Sequence, residues 1–379
     1  MIVVQKYGGS SVADNDRLRH VAEKIKRTYD EGFDVVVAVS AQGKTTDFLI
    51  DKARSISENI VKRELDVLLS TGEIQSMALL SMMLHSLGVP AISLNGIQAG
   101  ISASGEYGDA RISEIDTKRI LEELGKRQVV IVAGFQAKNE QDDFITLGRG
   151  GSDTTAVALA AALSAGRCEI YSDVDGVFTA DPRVVKNAKK LDKISYDDMI
   201  DLACMGAKVL NNRAVSLAKK YRIRLRAKSS FEEKSGTEIC ATGLEDSVIT
   251  SVTADRNVKM VTVSGVEDIG AFLDSLKERN VSIDNLFYDK HKMRLSFTVK
   301  AVWAERLLNV ESMRNVSKVS VVGVGLYGRT EILSKIFSVL LVHRIDVSMV
   351  DCSDTRISIA VAAEDTDVTL NLLHDAFIA

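Results

Sequence analysis

Cysteine and histidine are scarce in this chain. Its 379 residues include only four cysteines and five histidines. The cysteines form no Cys-x-x-Cys pair, and the histidines show no metal-ligand spacing. This pattern disfavours a disulfide framework or a zinc site, so we expect reduced thiols, a cytoplasmic protein and no metal ligands from the chain. The cysteines are Cys168, Cys204, Cys240 and Cys352.

Long apolar runs and an excess of positive charge are also missing. No apolar run approaches the roughly 20 residues that a helix needs to cross a bilayer, and the opening MIVVQKYGG is too short for a secretory signal. Lys and Arg total 48 against 52 for Asp and Glu, a net charge of -4 that disfavours a chain-wide nucleic-acid surface. With 46% hydrophobic residues, we expect two or three globular domains that bind neither membrane nor nucleic acid.

Strand and helix patterns alternate over residues 1–229. Val35–Val39 is a continuous apolar run typical of a strand buried on both faces, and Asp16–Tyr29 has apolar residues at helical spacing. This alternation predicts an α/β domain with a largely parallel open sheet covered by helices. The other predicted strands are Ile2–Val4, Val89–Ser93, Val129–Ala133 and Ile170–Ser172, and the other helices are Ile74–Leu87 and Ala156–Leu163.

Beyond a polar connection at residues 230–246, the sequence contains an internal repeat with a period of roughly 60 residues. Lys259–Gly265 is similar to Lys318–Val324, and a helical pattern and two strand patterns follow each. The order β-α-β-β predicts two ferredoxin-like α+β units over residues 247–379. The predicted helices are Ile269–Glu278 and Thr330–Leu341, and the later strands are Val281–Asp284, Arg294–Val299, Ile345–Val350 and Arg356–Val361.

The first motif with chemical potential is Lys6-Tyr-Gly-Gly-Ser-Ser11, directly after the opening strand. Consecutive glycines let backbone N–H groups approach an oxyanion, and the following helix directs its positive end there. A phosphate site and a tight turn with a solvated lysine both explain this motif when it is taken alone.

A second motif, Leu147–Thr155, also opens a helix. Capping of that helix explains Asp153, but it does not explain Arg149 beside two glycines. An arginine can hold a carboxylate with two parallel hydrogen bonds, so the motif indicates a ligand site.

A third motif, Tyr171–Arg183, follows a strand and is dense in loop-forming residues. Its aspartates depart from EF-hand spacing and no glutamate closes the loop, so a nucleotide-binding loop fits better than a calcium site. Arg183 and Lys208 would supply phosphate contacts, although each charge alone is also explained as a solvated surface residue.

One glycine pattern resembles a dinucleotide-binding motif without indicating such a site. Gly323-x-Gly325-x-x-Gly328 matches a loose dinucleotide fingerprint. Only 57 residues remain from Gly323 to the end, too few for a complete dinucleotide-binding domain. We therefore predict a turn of the second repeat.

Together these motifs resemble those of the aspartate kinases, over nearly the whole chain. The resemblance implies an amino-acid-kinase fold over residues 1–229 followed by two ACT units. These units are either consecutive, at about 255–315 and 316–379, or interleaved, with Val248–Thr253 belonging to the last one. The five motifs in family order are Lys6–Val12, Ser40–Asp47, Ser70–Glu73, Gly148–Asp153 and Tyr171–Arg183.

The resemblance implies transfer of the γ-phosphoryl group of ATP to the side-chain carboxylate of L-aspartate, the first step of lysine, threonine and methionine biosynthesis. An aspartate side chain with a reference pKa of about 3.9 is already ionised at neutral pH, so it needs no general base. By the resemblance, Lys6 and the Gly8–Gly9 backbone would stabilise the transferring group, and Asp153 would orient Lys6. Mg²⁺ would ride on the nucleotide phosphates, mostly through water.

The resemblance also implies binding residues. Glu73 is suited to the α-ammonium of aspartate and Arg149 to a carboxylate, while Phe178 stands where relatives often carry Tyr. The implied aspartate contacts are Ser40, Thr46, Glu73, Arg149, Gly150, Gly151 and Ser152, with Thr45 as a neighbour. The implied ATP contacts are Lys6, Gly8, Gly9, Ser10, Ser172, Asp173, Phe178, Arg183, Lys208 and Val209.

The regulatory half departs from the family pattern. Ser264–Gly270 and Gly328-Arg329 stand where relatives carry Pro-Gly turns that shape an effector pocket, so the identity of an amino-acid effector stays open. A homodimer or higher homo-oligomer is expected. Two other functions stay open: a kinase for glutamate, acetylglutamate or a nucleotide, and a catalytically silent amino-acid sensor. The retained Lys6, Glu73, Arg149 and Asp153 argue against the silent sensor.

Overall fold

The computed structural model describes residues 1–207, 209–241 and 249–378. The chain forms two compact units. The first comprises Met1–Val177, Lys190–Ile200 and Lys208–Gly243, and the second comprises Phe178–Lys189, Asp201–Ala207 and Leu244–Ala379. The domain boundaries that the sequence suggests stay predictions.

The first unit contains two sheets and the helices that pack on them. Its strands are β1 Ile2–Tyr7, β2 Asp34–Val39, β3 Ala91–Leu94, β4 Ile101–Ser104, β5 Arg111–Ile115, β6 Val129–Ala133, β7 Gln136–Lys138, β8 Phe144–Thr146, β9 Arg167–Ser172, β10 Lys193–Ser195, β11 Leu225–Ser229 and β12 Thr237–Cys240. Its helices are α1 Asn15–Asp30, α2 Thr45–Arg54, α3 Lys62–Ser86, α4 Lys118–Gly125, α5 Gly151–Ala162 and α7 Asn212–Tyr221, while the residues of α6, Tyr196–Cys204, are divided between the units.

The larger sheet has eight strands in the order β10-β12-β11-β9-β1-β2-β6-β3. Its centre is parallel, because β1 pairs in parallel with β2 and β9, and β2 with β6. Every residue of β6 is buried, as the continuous β-branched run predicts for a strand covered on both faces. The predicted α/β fold with a largely parallel sheet is confirmed.

Helix α1 illustrates why the covering helices form where they do. The side chain of Asp14 accepts a hydrogen bond from the backbone N–H of Arg17 and caps the first turn. Leu18, Val21 and Ile25 lie on one face and are buried in the core beneath the sheet. The helix predicted at 16–29 is confirmed, with one more residue at each end.

Two features of the first unit differ from the prediction. A four-stranded sheet of order β5-β4-β7-β8 has no predicted counterpart, since β7 and β8 have three residues each, too few for a periodic pattern. Residues 237–240, predicted as part of a connection, form β12 and pair with β11.

Helix α3 is longer than predicted, because it begins at Lys62 rather than Ile74. By length and composition, with a mean hydropathy of 1.4, it could cross a membrane, so the expectation that no apolar run approaches such a length is wrong. Half of the apolar 18-residue stretch of α3 is buried inside the structure. Leu80 and Leu84 are fully buried in the core, an arrangement typical of the central helix of a globular domain.

The second unit is built on a six-stranded sheet of order β14-β15-β13-β16-β18-β17. Its strands are β13 Ile249–Ser264, β14 Ile283–Asp289, β15 Arg294–Lys300, β16 Ser312–Gly323, β17 Met349–Cys352 and β18 Arg356–Ala362. Its helices are α8 Ile269–Glu278, α9 Ala301–Ala304, α10 Thr330–Val342 and α11 Thr366–Phe377.

The predicted β-α-β-β repeat is confirmed as β13-α8-β14-β15 and β16-α10-β17-β18. Each copy has its own apolar core, one around Phe297 and Leu276 and one around Ile336 and Ile359. The glycine pattern at residues 323–328 runs from the last residue of β16 into the turn before α10, where Gly325 and Gly328 have positive φ angles of 70° and 73°.

Strand β13 is shared by the two repeats. Its first part pairs only with β16, in a register that joins Val252 to Val321, and its second part lies between β15 and β16. The register shifts between Asp255 and Val258, which separates the two parts. The strand preceding the first repeat therefore pairs with the second one.

Candidate active site

The carboxyl ends of parallel strands bring the sequence motifs together at one edge of the large sheet. The register pairs Tyr7 of β1 with Tyr171 of β9. The backbone N–H groups of Gly8 and Ser40 donate to the carbonyl oxygens of Tyr171 and Tyr7, at 3.3 and 3.1 Å. Gly8, Ser40 and Ser172 therefore lie side by side. In open α/β sheets this edge is where ligands bind.

Lys6 and Asp153, the predicted catalytic residues, are in contact. The Nζ atom of Lys6 lies 2.7 Å from Oδ1 of Asp153, and only 11% and 12% of the two side chains are exposed. Asp153 stands in the first turn of α5, where the positive end of the helix favours a carboxylate. A Cβ atom on Gly8 would lie 3.5 Å from this Nζ, in ordinary van der Waals contact, so Gly8 directly adjoins the ammonium group.

Gly9 is required by a close approach of two backbones. A Cβ atom there would lie 2.5 Å from the carbonyl oxygen of Ala41, closer than real Cβ atoms come to any neighbour. The carbonyl oxygen of Gly9 accepts a hydrogen bond from the N–H of Gly43 at 3.0 Å. Among the described residues, the N–H groups of Gly9 and Ser10 have no such backbone acceptor, whereas that of Gly8 is used. The anion-binding donors predicted for this turn therefore reduce to Gly9 and Ser10.

The Arg149 loop is shaped by glycines. Gly148 and Gly150 have φ angles of 75° and 73°, which residues with a side chain rarely adopt. A Cβ on Gly151 would lie 2.9 Å from the ring of Phe135, so α5 starts directly against that residue. Arg149 itself is exposed, which leaves its guanidinium accessible to a solute.

Asn211, which the sequence analysis missed, holds this loop. Its side-chain Nδ2 donates to the carbonyl oxygen of Arg149 at 3.1 Å, and its backbone N–H donates to Oδ2 of Asp153 at 3.3 Å. Asn211 also caps α7, since its side-chain oxygen accepts from the N–H of Arg213. One residue thus ties the Arg149 loop to the predicted catalytic carboxylate.

Asp66 of α3 is a second residue that sequence reasoning missed. Its carboxylate accepts hydrogen bonds from the N–H groups of Gly108 and Thr146, at 2.9 and 2.7 Å, and from the hydroxyl of Thr146. Arg213 donates to the carbonyl oxygens of Leu147 and Ala110. These bonds, of which the two to Thr146 are buried and the others partly buried, fix the strand that leads into the Arg149 loop.

Glu73 is a buried carboxyl with an unused oxygen. Its side chain projects from α3, and Oε1 accepts the backbone N–H of Ala41 at 3.3 Å. Oε2 is buried and has no hydrogen-bond partner in the part of the chain that the structure describes. Burial raises the pKa of Glu73 to about 7. A ligand cation beside Oε2 would supply the missing partner and lower that pKa.

The remaining predicted aspartate contacts lie at the starts of α2 and α5 and directly after β2. Thr45 and Thr46 form the first turn of α2, and Ser40 follows β2. A Cβ on Gly72 would lie 2.9 Å from that of Ala41, so glycine lets α3 approach this loop. Ser152 is buried with its Cβ 2.8 Å from the position that a Cβ on Gly134 would take.

The predicted nucleotide residues are divided. Ser172 is the last residue of β9 and Asp173 follows it in the first unit, at the same edge as Lys6. Phe178 and Arg183 belong to the second unit, so the structure does not bring the whole 171–183 motif into one compact unit. Arg183 is paired with Asp181 at 2.8 Å, and 85% of its side chain is exposed. Val209 is half-buried, and Lys208 lies outside the described residues.

Two family models match the chain. Residues 1–229 match the amino acid kinase family, and residues 319–377 match an ACT domain. The aspartokinase of Bacillus sp. (strain MGA3) is 42% identical over 398 residues, covering 99% of this chain and 97% of that protein. Aspartokinase 2 of Bacillus subtilis is 40% identical with the same coverage.

The chain belongs to the aspartokinase family. The resemblance that the sequence motifs suggested is therefore confirmed, together with the amino-acid-kinase and ACT organisation. As an aspartokinase the protein is a kinase that uses a nucleotide and phosphorylates aspartate, and its ACT region makes it an allosteric member of a biosynthetic family.

Solved aspartokinase structures agree with this fold. E. coli aspartokinase III in complex with aspartate and ADP (R-state) matches with a TM-score of 0.84 over 100% of both chains at 23% identity. The same enzyme in complex with lysine and aspartate (T-state) matches with a TM-score of 0.80. The aspartate kinase from Synechocystis is 35% identical, with a TM-score of 0.59 over 100% of this chain and 69% of that one.

Proposed function

We propose that this aspartokinase transfers the γ-phosphoryl group of ATP to the side-chain carboxylate of L-aspartate at the sheet edge around Lys6, forming 4-phospho-L-aspartate and ADP. The observation that carries the proposal is the Lys6–Asp153 pair at 2.7 Å. Glu73, which belongs to one of the sequence motifs, lies at the same sheet edge, and its buried Oε2 has no partner among the described residues. The aspartate and ADP bound in the E. coli enzyme support it.

The chemistry needs positioning more than proton transfer. One oxygen of the ionised aspartate side chain attacks the γ-phosphorus, the bond from that phosphorus to the β,γ-bridging oxygen breaks, and ADP leaves with the electron pair. No proton moves in this step, because a carboxylate is ionised at neutral pH. Catalysis then rests on in-line placement and neutralisation of phosphoryl charge.

Each charged residue has a distinct role in the proposal. Lys6 neutralises charge on the transferring group, helped by the N–H donors of Gly9 and Ser10. Asp153 holds the Lys6 ammonium in place. Glu73 binds the α-ammonium of aspartate, and Arg149 binds its α-carboxylate with two parallel bonds. Ser40, Thr46, Gly150, Gly151 and Ser152 would complete the aspartate site, with Thr45 as a neighbour.

On the nucleotide side, Ser172 and Asp173 line the proposed ATP site beside Gly8. Phe178 would stack on the base, and Arg183 would contact phosphate. Lys208 and Val209 complete the proposed set.

Mg²⁺ fits this site as a companion of the nucleotide rather than as a resident of the protein. No group of three or more His, Cys, Asp or Glu side chains among the described residues could hold a metal ion. Mg²⁺ commonly keeps its waters and binds substrate phosphates. When bound, it would neutralise charge on the β- and γ-phosphates.

We further propose an amino-acid effector at the ACT units, a homodimer or higher oligomer, and a cytoplasmic location. The lysine complex of the E. coli enzyme supports the effector class. Calorimetric titration with lysine, threonine, methionine and diaminopimelate tests it, and the proposal is wrong if none of them binds or changes the rate.

Steady-state release of ADP, measured by a coupled assay with Mg²⁺ and each acid substrate, tests the proposed reaction. We expect turnover with L-aspartate and none with L-glutamate or N-acetylglutamate. Lys6→Ala should lower kcat by at least about a thousandfold, because the phosphoryl charge loses its cation; its circular dichroism should show a retained fold, with a lower melting temperature because the buried Asp153 loses its partner. Lys6→Arg keeps a cation as the control. Normal kcat in Lys6→Ala would exclude Lys6 from the chemistry.

A further inference from the structure

The segment Phe178–Lys189, which contains the predicted nucleotide residues Phe178 and Arg183, is anchored through Thr179, which lies directly after Phe178. The backbone N–H of Thr179 donates to the carbonyl oxygen of Lys189, and its carbonyl oxygen accepts the N–H of Val252, at 2.9 and 2.8 Å. Its hydroxyl accepts the N–H of Lys189 at 2.9 Å. Only 4% of Thr179 is exposed. Its polar groups are therefore all engaged, and the segment closes on itself beside β13.

The same hydroxyl meets a histidine of the C-terminal helix α11. Nε2 of His374 lies 2.9 Å from Oγ1 of Thr179, and His374 is completely buried. Since the hydroxyl takes a hydrogen from Lys189, it has its own to give to Nε2. This is a directional bond in a dry environment, where its geometry is strongly enforced.

Apolar and backbone contacts strengthen the anchor. Ala180 and Val185 are buried in the core that also contains Leu373 of α11. The side chain of Asn371 donates to the carbonyl oxygen of Val184 at 3.3 Å. One side of the segment is thus built into the second unit, whereas Arg183 projects outward.

We propose that Thr179 and His374 are positioning residues for ATP: they fasten the segment that carries Phe178 and Arg183 to helix α11. This inference rests on the proposed function, in which Phe178 and Arg183 bind the nucleotide. It makes α11 of the regulatory repeat a determinant of ATP affinity, separate from the aspartate site at Glu73 and Arg149.

Thr179→Val tests the anchor, because it keeps the shape of the side chain and removes the hydroxyl. The hydroxyl takes part in two hydrogen bonds, and their loss should raise the KM for ATP roughly threefold to tenfold. The KM for aspartate and kcat at saturating ATP should stay within about twofold, because the aspartate site is untouched. His374→Phe should behave like Thr179→Val. His374→Gln retains a polar group near Nε2 and should restore most of the ATP affinity.

Thr369→Val is the matched control. Thr369 is on the same helix and completely buried, and its hydroxyl has no hydrogen-bond partner in the described part of the chain. We expect its KM for ATP to equal that of the unmodified enzyme, with melting temperatures recorded for every variant. An unchanged KM for ATP in folded Thr179→Val, or an equal rise in both KM values, overturns the inference. If Thr179→Val does not fold, the comparison of His374→Phe with His374→Gln decides in the same way.

The two proposals fail differently. An unmodified enzyme without ATP-dependent phosphorylation of aspartate contradicts the proposed function. Normal turnover with indifferent Thr179 and His374 variants contradicts only the anchor.

Discussion

The role proposed for Glu73 makes aspartate binding depend on pH. Burial raises its pKa from 4.5 to about 7, so the free enzyme carries a mostly neutral Glu73 at pH 6. Only the ionised carboxylate attracts an α-ammonium group. We therefore expect the KM for aspartate to rise roughly tenfold from pH 8 to pH 6, with little change in the KM for ATP. Kinetics across this range measure it.

The matched variant is Glu73→Gln, which cannot ionise. Its KM for aspartate should be high and independent of pH, and a flat profile in the unmodified enzyme would contradict the assignment. Because the folded pKa lies above the unfolded one, the stability that this shift contributes is complete below pH 4.5 and is lost as the pH rises through 7. Glu73→Gln should consequently raise the melting temperature at pH 8.

Local sequence signals were sufficient to find charged and glycine-rich motifs, but not their supports. Lys6, Arg149 and Asp153 stand beside glycines at strand or helix ends, and that combination is recognisable in a single sequence. Asn211 and Asp66 carry no such signal. Asn211 is an ordinary helix cap until the fold brings Arg149 and Asp153 to it. Support of this kind depends on long-range contacts, which a local pattern does not contain.

At the scale of elements, the start of α5 shapes the Arg149 loop, which is proposed to bind aspartate. A Cβ on Gly150 would lie 2.1 Å from Nδ2 of Asn211, and its φ angle is 73°. Gly150→Ala should therefore displace Asn211 and raise the KM for aspartate at least about tenfold, because misplaced binding groups are costly. Steady-state kinetics measure this change.

The control variant Gly88→Ala separates the effect of backbone strain from the effect of the collision with Asn211. Gly88 has a φ angle of 75°, but nothing lies within 4 Å of its added Cβ. Both variants should lose about 1 kcal/mol of stability from the left-handed backbone, and only Gly150→Ala should bind aspartate poorly. Equal kinetics in the two variants would mean that the contact with Asn211 does not matter.

Elements with a strong period were predictable, and short ones were not. Helix α8 and strand β6 have the bounds that the sequence predicts, because Asp268 caps α8 and β6 is a continuous buried apolar run. Strands β7 and β8 have three residues each, and only their pairing across the chain defines them. The first half of α3 was missed because Lys62, Glu64 and Asp66 interrupt its apolar pattern, although Asp66 is buried against Thr146.

At the scale of the whole molecule, the chain passes several times from one unit to the other. In the sequence, residues 178–189 and 201–207 of the second unit separate the segments of the first. Unfolding either unit therefore pulls on segments of the other. We expect one cooperative transition in differential scanning calorimetry, with equal calorimetric and van't Hoff enthalpies. Two well-separated transitions would show that the units unfold independently.

The sixteen-residue strand β13 limits how the repeats can be deleted or exchanged. Deleting either repeat would strip one neighbour from this strand and leave an open edge, which recruits foreign strands and promotes aggregation. Swapping a single repeat between relatives faces the same obstacle. The pair is thus a minimal module that must be transplanted intact.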